Sequence, residues 1–207
     1  MLARPIVASR SINQGRSSTL RIIGGEFSGR RIEAPKGRVA RPTTDRTREA
    51  IYNILAHRRD FSFDGIRILD LFAGSGALGL EALSRGASFC LFVEIDAGAR
   101  GAIRGNIDQL GLFGRTRVHR RSAIALGPKP SGVGAPFDLA FLDPPYGQSL
   151  IELALPVLRD GGWLRPAALL VTEQGIDDQP AVCEGFTVED TRTYGDTAIS
   201  FLAFSAG

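Results

Sequence analysis

The sequence contains few residues of the kinds that cross-link small proteins or hold structural metals. Its 207 residues include only two cysteines and two histidines. Cys90 and Cys183 are too few for a disulfide framework and too far apart for a zinc pattern, so we interpret both as small core residues. His57 and His119 have no partner at metal-ligand spacing. The sequence therefore predicts neither a disulfide-stabilised domain nor a metal site.

Long hydrophobic runs are also missing. No apolar run approaches the roughly 18 residues that a membrane span requires. The first twenty residues contain Arg4, Arg10 and Arg16 but no continuous apolar core, which is unlike a secretory signal. With 43% apolar and 23% charged residues, the composition is that of an ordinary globular protein. We therefore expect a cytoplasmic monomer with no membrane partner.

Positive charge is concentrated near the N-terminus. Residues 1–60 contain 13 Lys or Arg and 5 Asp or Glu, whereas the other 147 residues contain 12 and 17. A basic N-terminal portion joined to a mildly acidic body indicates a polyanionic partner such as a nucleic acid. A solvated, arginine-rich surface without such a partner is the alternative.

The chain divides into three parts by composition. Residues 1–19 are polar and without periodicity, which predicts a disordered lead-in. Residues 20–60 predict a small β-hairpin with turns at its glycines, then a helix capped by Thr44 or Asp45. Residues 61–207 alternate apolar strand patterns with helical patterns, which predicts an α/β domain with a parallel sheet covered by helices on both faces. Its last two strands have only a short turn between them, which predicts a C-terminal antiparallel hairpin.

A glycine-rich turn follows the first strand of this domain, in the stretch DLFAGSGALG. Gly74, Gly76 and Gly79 satisfy the G-x-G-x-x-G pattern, and Glu94 ends the next strand about 20 residues later, as in a dinucleotide site. Asp70 argues against a dinucleotide, because a carboxylate beside the turn would repel a pyrophosphate. S-adenosyl-L-methionine has no phosphate, and Asp70 would favour its ammonium and sulfonium charges. A helix or loop cap is the alternative role for Asp70.

The stretch LDPPYG closes the fourth strand and faces the glycine-rich turn at the switch in strand order. The Asp143 carboxylate and the Pro144 carbonyl can accept the two hydrogens of an aromatic amine, which orients its lone pair for methyl transfer. Tyr146 can stack on the base, which must be unpaired or flipped to enter such a cleft. A simple strand-ending turn is the alternative.

At these residues the chain resembles class I S-adenosylmethionine methyltransferases that modify amino groups. More narrowly, it resembles the RsmD family of bacterial 16S ribosomal RNA guanine-N2 methyltransferases. The segments that carry this resemblance together are RIIGGEFSGRRIEAP, RPTTDRTREAIYNIL, DLFAGSGALGLEALSRGA, VEID and LDPPYG. D-P-P-Y alone is shared with adenine-N6 methyltransferases, whereas the two N-terminal segments are specific to the family.

The resemblance implies a class I methyltransferase fold over 61–207, a seven-stranded, mostly parallel sheet, and 16S ribosomal RNA in an assembled or partly assembled small subunit as the partner. The residues that would hold the cofactor are Asp70, Phe72, Gly74, Gly76, Glu94 and Ser122. Asp143, Pro144 and Tyr146 would hold the guanine. Arg41, Thr43 and Arg48 would lie at the mouth of the cleft, touching RNA or closing over the cofactor. The sequence departs from the family pattern in its lead-in and in lacking an acidic residue near Ser122, where the adenine contact is expected.

Three alternatives remain open at this point. An adenine-N6 methyltransferase acting on RNA or DNA would share the fold and the D-P-P-Y segment. A dinucleotide-dependent oxidoreductase would share the glycine-rich turn, and stabilisation by NAD rather than by S-adenosylhomocysteine would reveal it. A non-catalytic RNA-binding module would keep the basic N-terminal portion without turning over substrate.

Overall fold

The computed structural model describes residues 20–35, 45–178 and 183–206. The lead-in at 1–19, Arg41, Thr43 and the possible cap Thr44 therefore lie outside the described residues. Within these ranges no helix combines the length and apolarity that crossing a membrane requires. The same ranges contain no cluster of three or more histidine, cysteine or acidic residues that could hold a metal ion.

A small hairpin and a helix precede the main sheet, as predicted. Strand β1 (Leu20–Arg21) pairs antiparallel with β2 (Arg31–Ile32), and helix α1 (Asp45–His57) follows. Asp45 lies in the first turn of α1, where a carboxylate interacts favourably with the helix dipole.

The main sheet has seven strands in the described part of the chain. They are β3 (Arg67–Leu71), β4 (Phe89–Val93), β5 (Thr116–His119), β6 (Phe137–Leu142), β7 (Leu164–Gly175), β8 (Phe186–Tyr194) and β9 (Thr197–Phe204). The helices among them are α2 (Ala77–Ser84), α3 (Ala97–Leu110) and α4 (Leu150–Asp160). The strand order is β5-β4-β3-β6-β7-β9-β8, and β9 runs antiparallel to both of its neighbours. The predicted mostly parallel sheet with a C-terminal hairpin is confirmed.

The strand order reverses at β3, which pairs in parallel with both β4 and β6. Asp70 pairs with Phe141, and Leu71 pairs with Leu142. The residues that follow β3 and β6 therefore emerge side by side at the carboxyl edge of the sheet. Open α/β sheets bind their ligands at such a switch point.

Both faces of the central strands β3, β4 and β6 are buried. Adjacent β3 residues face opposite ways, so that Ile68 belongs to one apolar cluster and Leu69 to the other. The first cluster also contains Leu20 and Ile32 of the hairpin together with Ile51 and Leu55 of α1, so the hairpin and α1 share a core with the main sheet. Cys90 is a core residue as predicted, whereas Cys183 is only partly buried against the second cluster.

Buried polar groups of α2 and α3 fix the N-terminal segment on the domain. The Glu81 carboxylate, 0% exposed, accepts the backbone N–H groups of Ile23 and Gly24 at 2.6 and 2.8 Å, and Arg85 Nε donates to it at 2.8 Å. Asn106 exchanges two hydrogen bonds with the backbone of Glu33, at 2.7 and 3.0 Å. Because these side chains satisfy backbone groups that pair with no strand, they determine where the hairpin docks.

Candidate active site

The turn between β3 and α2 depends on residues in the left-handed region. Phe72, Gly74 and Gly76 have φ values of 57°, 56° and 78°. A Cβ at Gly76 would lie 3.2 Å from the Phe92 ring and 3.3 Å from Ile103, so only glycine fits there without displacing the core. The left-handed Phe72 is a strained non-glycine residue, of the kind that clusters at functional sites.

Gly79 allows α2 to approach β4 closely. A Cβ on this residue would lie 2.5 Å from both Cys90 Sγ and the Phe92 ring. This is the helix-packing role that the third glycine of the G-x-G-x-x-G pattern has in dinucleotide folds. The turn is thereby held near the ends of β3 and β4.

Glu94 follows β4 and connects it to the glycine-rich turn. One carboxylate oxygen accepts the Gly74 N–H at 2.9 Å, and the other accepts the Asp96 N–H at 2.8 Å. The residue is only 5% exposed. Each oxygen of a carboxylate can accept a second hydrogen bond, so these contacts leave acceptor capacity for hydroxyl groups of a ligand.

Asp70 is buried beneath the same turn. Its Oδ2 accepts the Gly79 N–H at 2.9 Å, so the capping role that the sequence left open is present in the structure. Burial raises the pKa of the Asp70 carboxyl well above its usual range, and the nearby Asp143 and Glu94 carboxylates raise it further against the opposing effect of the Gly79 hydrogen bond. The site thus brings three carboxyl groups together, from the ends of β3, β4 and β6.

The Asp-Pro-Pro-Tyr segment leaves β6 beside the glycine-rich turn. Asp143 is partly buried, Pro144 is buried and Tyr146 is 38% exposed. The Tyr146 hydroxyl lies 2.8 Å from Glu173 Oε1 and 3.0 Å from Thr197 Oγ1. Burial, followed by the nearby Glu173 and Asp143 carboxylates, raises the pKa of Tyr146 against the opposing Thr197 hydrogen bond, so its phenol stays protonated.

The adenine side of the predicted cofactor site is formed by less distinctive residues. Ser122 follows β5 at the same edge of the sheet and is partly buried, and its side chain makes no capping bond to the short helix that follows. Ile95 was not among the predicted site residues. It comes directly after Glu94 at the same edge of the sheet and is 63% exposed. The sequence did contain a signal for it, because an apolar residue stands immediately after the carboxylate that ends this strand.

Arg48 is not on the exposed rim of the cleft. Its side chain is 0% exposed, and its Nη2 donates to Asp45 Oδ1 at 2.9 Å and to the Arg21 carbonyl. Arg48 lies on the buried face of α1 with Tyr52. Its hydrogen bond to the Arg21 carbonyl links α1 to β1. Arg48 was expected at the mouth of the cleft, touching RNA or closing over the cofactor, whereas the guanidinium is buried here and has no accessible surface for contact with RNA. A part in cofactor binding stays a prediction.

The seven-stranded sheet with β9 reversed, the glycine-rich turn after β3 and the Asp-Pro-Pro-Tyr segment after β6 define a class I methyltransferase. The family model described as "Conserved hypothetical protein 95" matches residues 20–203. The chain belongs to this family, the RsmD family.

Several relatives match this chain over most of its length. It is 35% identical to "Ribosomal RNA small subunit methyltransferase D" of Escherichia coli over 187 residues, which cover 90% of each chain. It is 34% identical to "Putative rRNA methyltransferase YlbH" of Bacillus subtilis, covering 87% of this chain and 97% of that one. The solved structure of "Putative methyltransferase yhhF from Escherichia coli" superposes with a TM-score of 0.77, at 35% identity, over 91% of this chain and 99% of that chain.

Proposed function

We propose that this protein transfers a methyl group from S-adenosylmethionine to the exocyclic N2 amine of a guanine in 16S ribosomal RNA. The observation that carries the proposal is the pairing of β3 with β6, which puts Asp143 beside Asp70 at the switch point of a methyltransferase sheet. The names of the relatives support ribosomal RNA of the small subunit as the substrate.

The residues around the turn after β3 fit S-adenosylmethionine. Glu94 has acceptor capacity for the two ribose hydroxyls, and Ile95 offers an exposed apolar surface for the adenine ring. Ser122 can hydrogen-bond the adenine amine from the neighbouring strand. An ionised Asp70 beneath the turn would attract the positive charges of the methionine portion. The bound cofactor would supply an electrophilic methyl group.

Asp143 and Pro144 would orient the nucleophile. The lone pair of an aromatic amine is delocalised into the ring, so the amine reacts only when its hydrogens are held in a suitable direction. The Asp143 carboxylate and the Pro144 carbonyl can accept these hydrogens. Methyl transfer forms an N–C bond and breaks the C–S bond, and the proton lost from N2 passes to Asp143 or to water.

The Asp143 carboxylate favours guanine. Guanine presents two donors side by side, N1–H and N2–H, whereas adenine presents N6–H beside an unprotonated N1. A carboxylate can accept from both guanine donors. With adenine, one oxygen would face the N1 lone pair unless it bonded N6–H alone. The base must also leave its stack to reach the cleft, where the exposed ring of Tyr146 can stack on it.

The cellular test is mass spectrometry of nucleosides from small-subunit ribosomal RNA of cells that lack the gene. We expect N2-methylguanosine to be lost from 16S ribosomal RNA and then restored by the wild-type gene. Loss of N6-methyladenosine instead would support the adenine-N6 alternative. Methylation of assembled or partly assembled subunits in preference to bare RNA is part of the proposal and can be compared in vitro.

Replacing Glu94 with alanine should weaken cofactor binding. The change removes charge-assisted hydrogen bonds to the ribose and releases the Gly74 N–H that shapes the turn, so we expect a loss of about 1.5–3 kcal/mol, or about 10- to 150-fold in Kd. Calorimetric titration with S-adenosylmethionine measures this, and Asp108→Ala on the exposed face of α3 is the control. An unchanged Kd in Glu94→Ala would exclude Glu94 from the site.

Cofactor affinity should depend on pH through Asp70. Because burial raises the pKa of this carboxyl above the ordinary carboxylate range, it ionises at higher pH than an exposed aspartate, and only the ionised form attracts a positively charged ligand. We therefore expect affinity for S-adenosylmethionine to rise with pH as Asp70 ionises. Asp70→Asn keeps an acceptor for the Gly79 N–H and should flatten this dependence. An equal slope in both proteins would remove Asp70 as the cause.

A further inference from the structure

The Tyr146 side chain is anchored at one end and open at the other. Its hydroxyl contacts Glu173 and Thr197, which are 6% and 7% exposed, whereas the tyrosine as a whole is 38% exposed. The phenol oxygen therefore lies against buried polar side chains, while part of the tyrosine is accessible to solvent. This arrangement fixes the direction of the ring without covering it.

Strands β7 and β9 supply the two residues that contact the phenol. In the antiparallel pair of β7 and β9, Glu173 lies opposite Ile199 and Gly175 lies opposite Thr197. Side chains two residues apart along a strand share a face, so Glu173 and Thr197 are diagonal neighbours on one face of the sheet. The two residues that contact the phenol are therefore placed by strand pairing.

The hydrogen bonds of this group can be assigned from its chemistry. A carboxylate only accepts, so the single phenolic proton of Tyr146 is donated to Glu173. The Thr197 hydroxyl must then donate to the Tyr146 oxygen. The phenol is thus satisfied as donor and as acceptor, which disfavours rotation of the side chain toward solvent.

A second contact holds the same turn against the end of β7. Asp178 Oδ2 accepts the Gly175 N–H at 3.0 Å and lies 3.4 Å from the Gly147 nitrogen. A Cβ on Gly175 would lie 3.5 Å from Tyr146 Cδ2, so the strand end packs closely against the ring. The Asp-Pro-Pro-Tyr turn is consequently tied to β7 at two points.

We infer that Glu173, assisted by Thr197, is a positioning residue that holds the Tyr146 ring in the orientation needed to stack on the flipped target base. The inference rests on the proposed function, because it assigns the exposed ring to that base. Holding one side chain in its bound orientation before the substrate arrives reduces the ordering cost of binding. The benefit should appear in recognition of RNA and not in binding of cofactor.

A double-mutant cycle on Tyr146 and Glu173 tests the inference. The variants are Glu173→Ala, Tyr146→Phe and the double variant, each assayed for methylation of undermethylated small subunits, for S-adenosylhomocysteine affinity and for Tm. We expect each single variant to lower kcat/KM about three- to tenfold, mainly through KM, with the Kd for S-adenosylhomocysteine changed less than about twofold. In the Tyr146→Phe background, Glu173→Ala should lower kcat/KM by less than about a further twofold.

Conservative and control variants separate positioning from folding. Glu173→Gln keeps an acceptor for the phenol and should retain kcat/KM within about threefold of wild type. If Glu173→Ala does not fold, Thr197→Val removes one hydroxyl of the same group and replaces it in the cycle. Glu184→Ala, whose side chain is 95% exposed, should leave kcat/KM unchanged.

Losses that multiply in the double variant, loss of S-adenosylhomocysteine binding in Glu173→Ala, or wild-type kcat/KM in that variant would each overturn the inference. The result of the double-mutant cycle does not depend on which base the protein methylates. If the wild-type protein methylates adenine, the guanine proposal fails, while the same cycle measured on adenine still decides whether Glu173 acts through Tyr146.

Discussion

Asp143→Ala should lower the rate of methyl transfer by about a hundredfold or more while leaving cofactor affinity nearly intact. The substitution removes the carboxylate that orients the amine. The Pro144 backbone carbonyl is then the only one of the two proposed acceptors that remains. Because Asp143 follows β6 and not the glycine-rich turn, the turn itself should keep its shape. Single-turnover assays with saturating small subunits, together with calorimetry for S-adenosylmethionine, measure the two effects separately.

Two further variants sharpen this result. Asp143→Asn keeps one acceptor oxygen but presents an amide donor toward the donor edge of guanine, so its rate should lie nearer to alanine than to wild type. Asp160→Ala removes a carboxylate at the exposed end of α4 and should leave the rate unchanged. An Asp143→Ala protein that loses cofactor binding but keeps its single-turnover rate would show that Asp143 belongs to the cofactor site.

Glu81→Ala should lower the free energy of unfolding by about 3–5 kcal/mol. The carboxylate is fully buried, and its removal leaves the N–H groups of Ile23 and Gly24 without their acceptor and Arg85 without its ion-pair partner. The hairpin should detach first, because these bonds fix its position on α2. Urea denaturation followed by circular dichroism gives the stability, and hydrogen exchange at Ile23 and Gly24 locates the loss.

The control for this prediction is the exposed Glu184→Ala, which should change stability by less than about 0.5 kcal/mol. Glu81→Gln keeps the size and one acceptor oxygen, so its loss should fall between those of the other two variants. Unchanged exchange at Ile23 and Gly24 in Glu81→Ala would contradict the assigned role of the carboxylate.

The strands and the turns between them were predictable from the sequence, because they depend on local patterns. The apolar runs of β3, β4 and β6 indicated central parallel strands, and the short turn before β9 indicated the reversed strand. Gly76 and Gly79 were recognisable because they match the spacing of the G-x-G-x-x-G pattern. In the structure, a Cβ at either position would press against core side chains. The expected positions of Asp70, Glu94 and Asp143 at the carboxyl edge follow from the same local signals.

Contacts between residues distant in sequence were not predictable. Glu81 binds backbone groups that lie 57 and 58 residues earlier, and Tyr146 reaches Glu173 and Thr197 over 27 and 51 residues. The resemblance to the family placed Arg48 at the mouth of the cleft, and a single sequence does not show that Asp45 and the Arg21 carbonyl receive its buried guanidinium. Burial of charge depends on partners that only the folded chain brings together.

The most direct measurement is the identity of the methylated nucleoside. The purified protein is incubated with S-adenosylmethionine labelled in its methyl group and with small ribosomal subunits that lack the modification, and the RNA is then digested to nucleosides. We expect label in N2-methylguanosine, and at matched early times about a hundredfold less of it, or lower, with Asp143→Ala. Label recovered in N6-methyladenosine, or transferred only to DNA, would contradict this expectation.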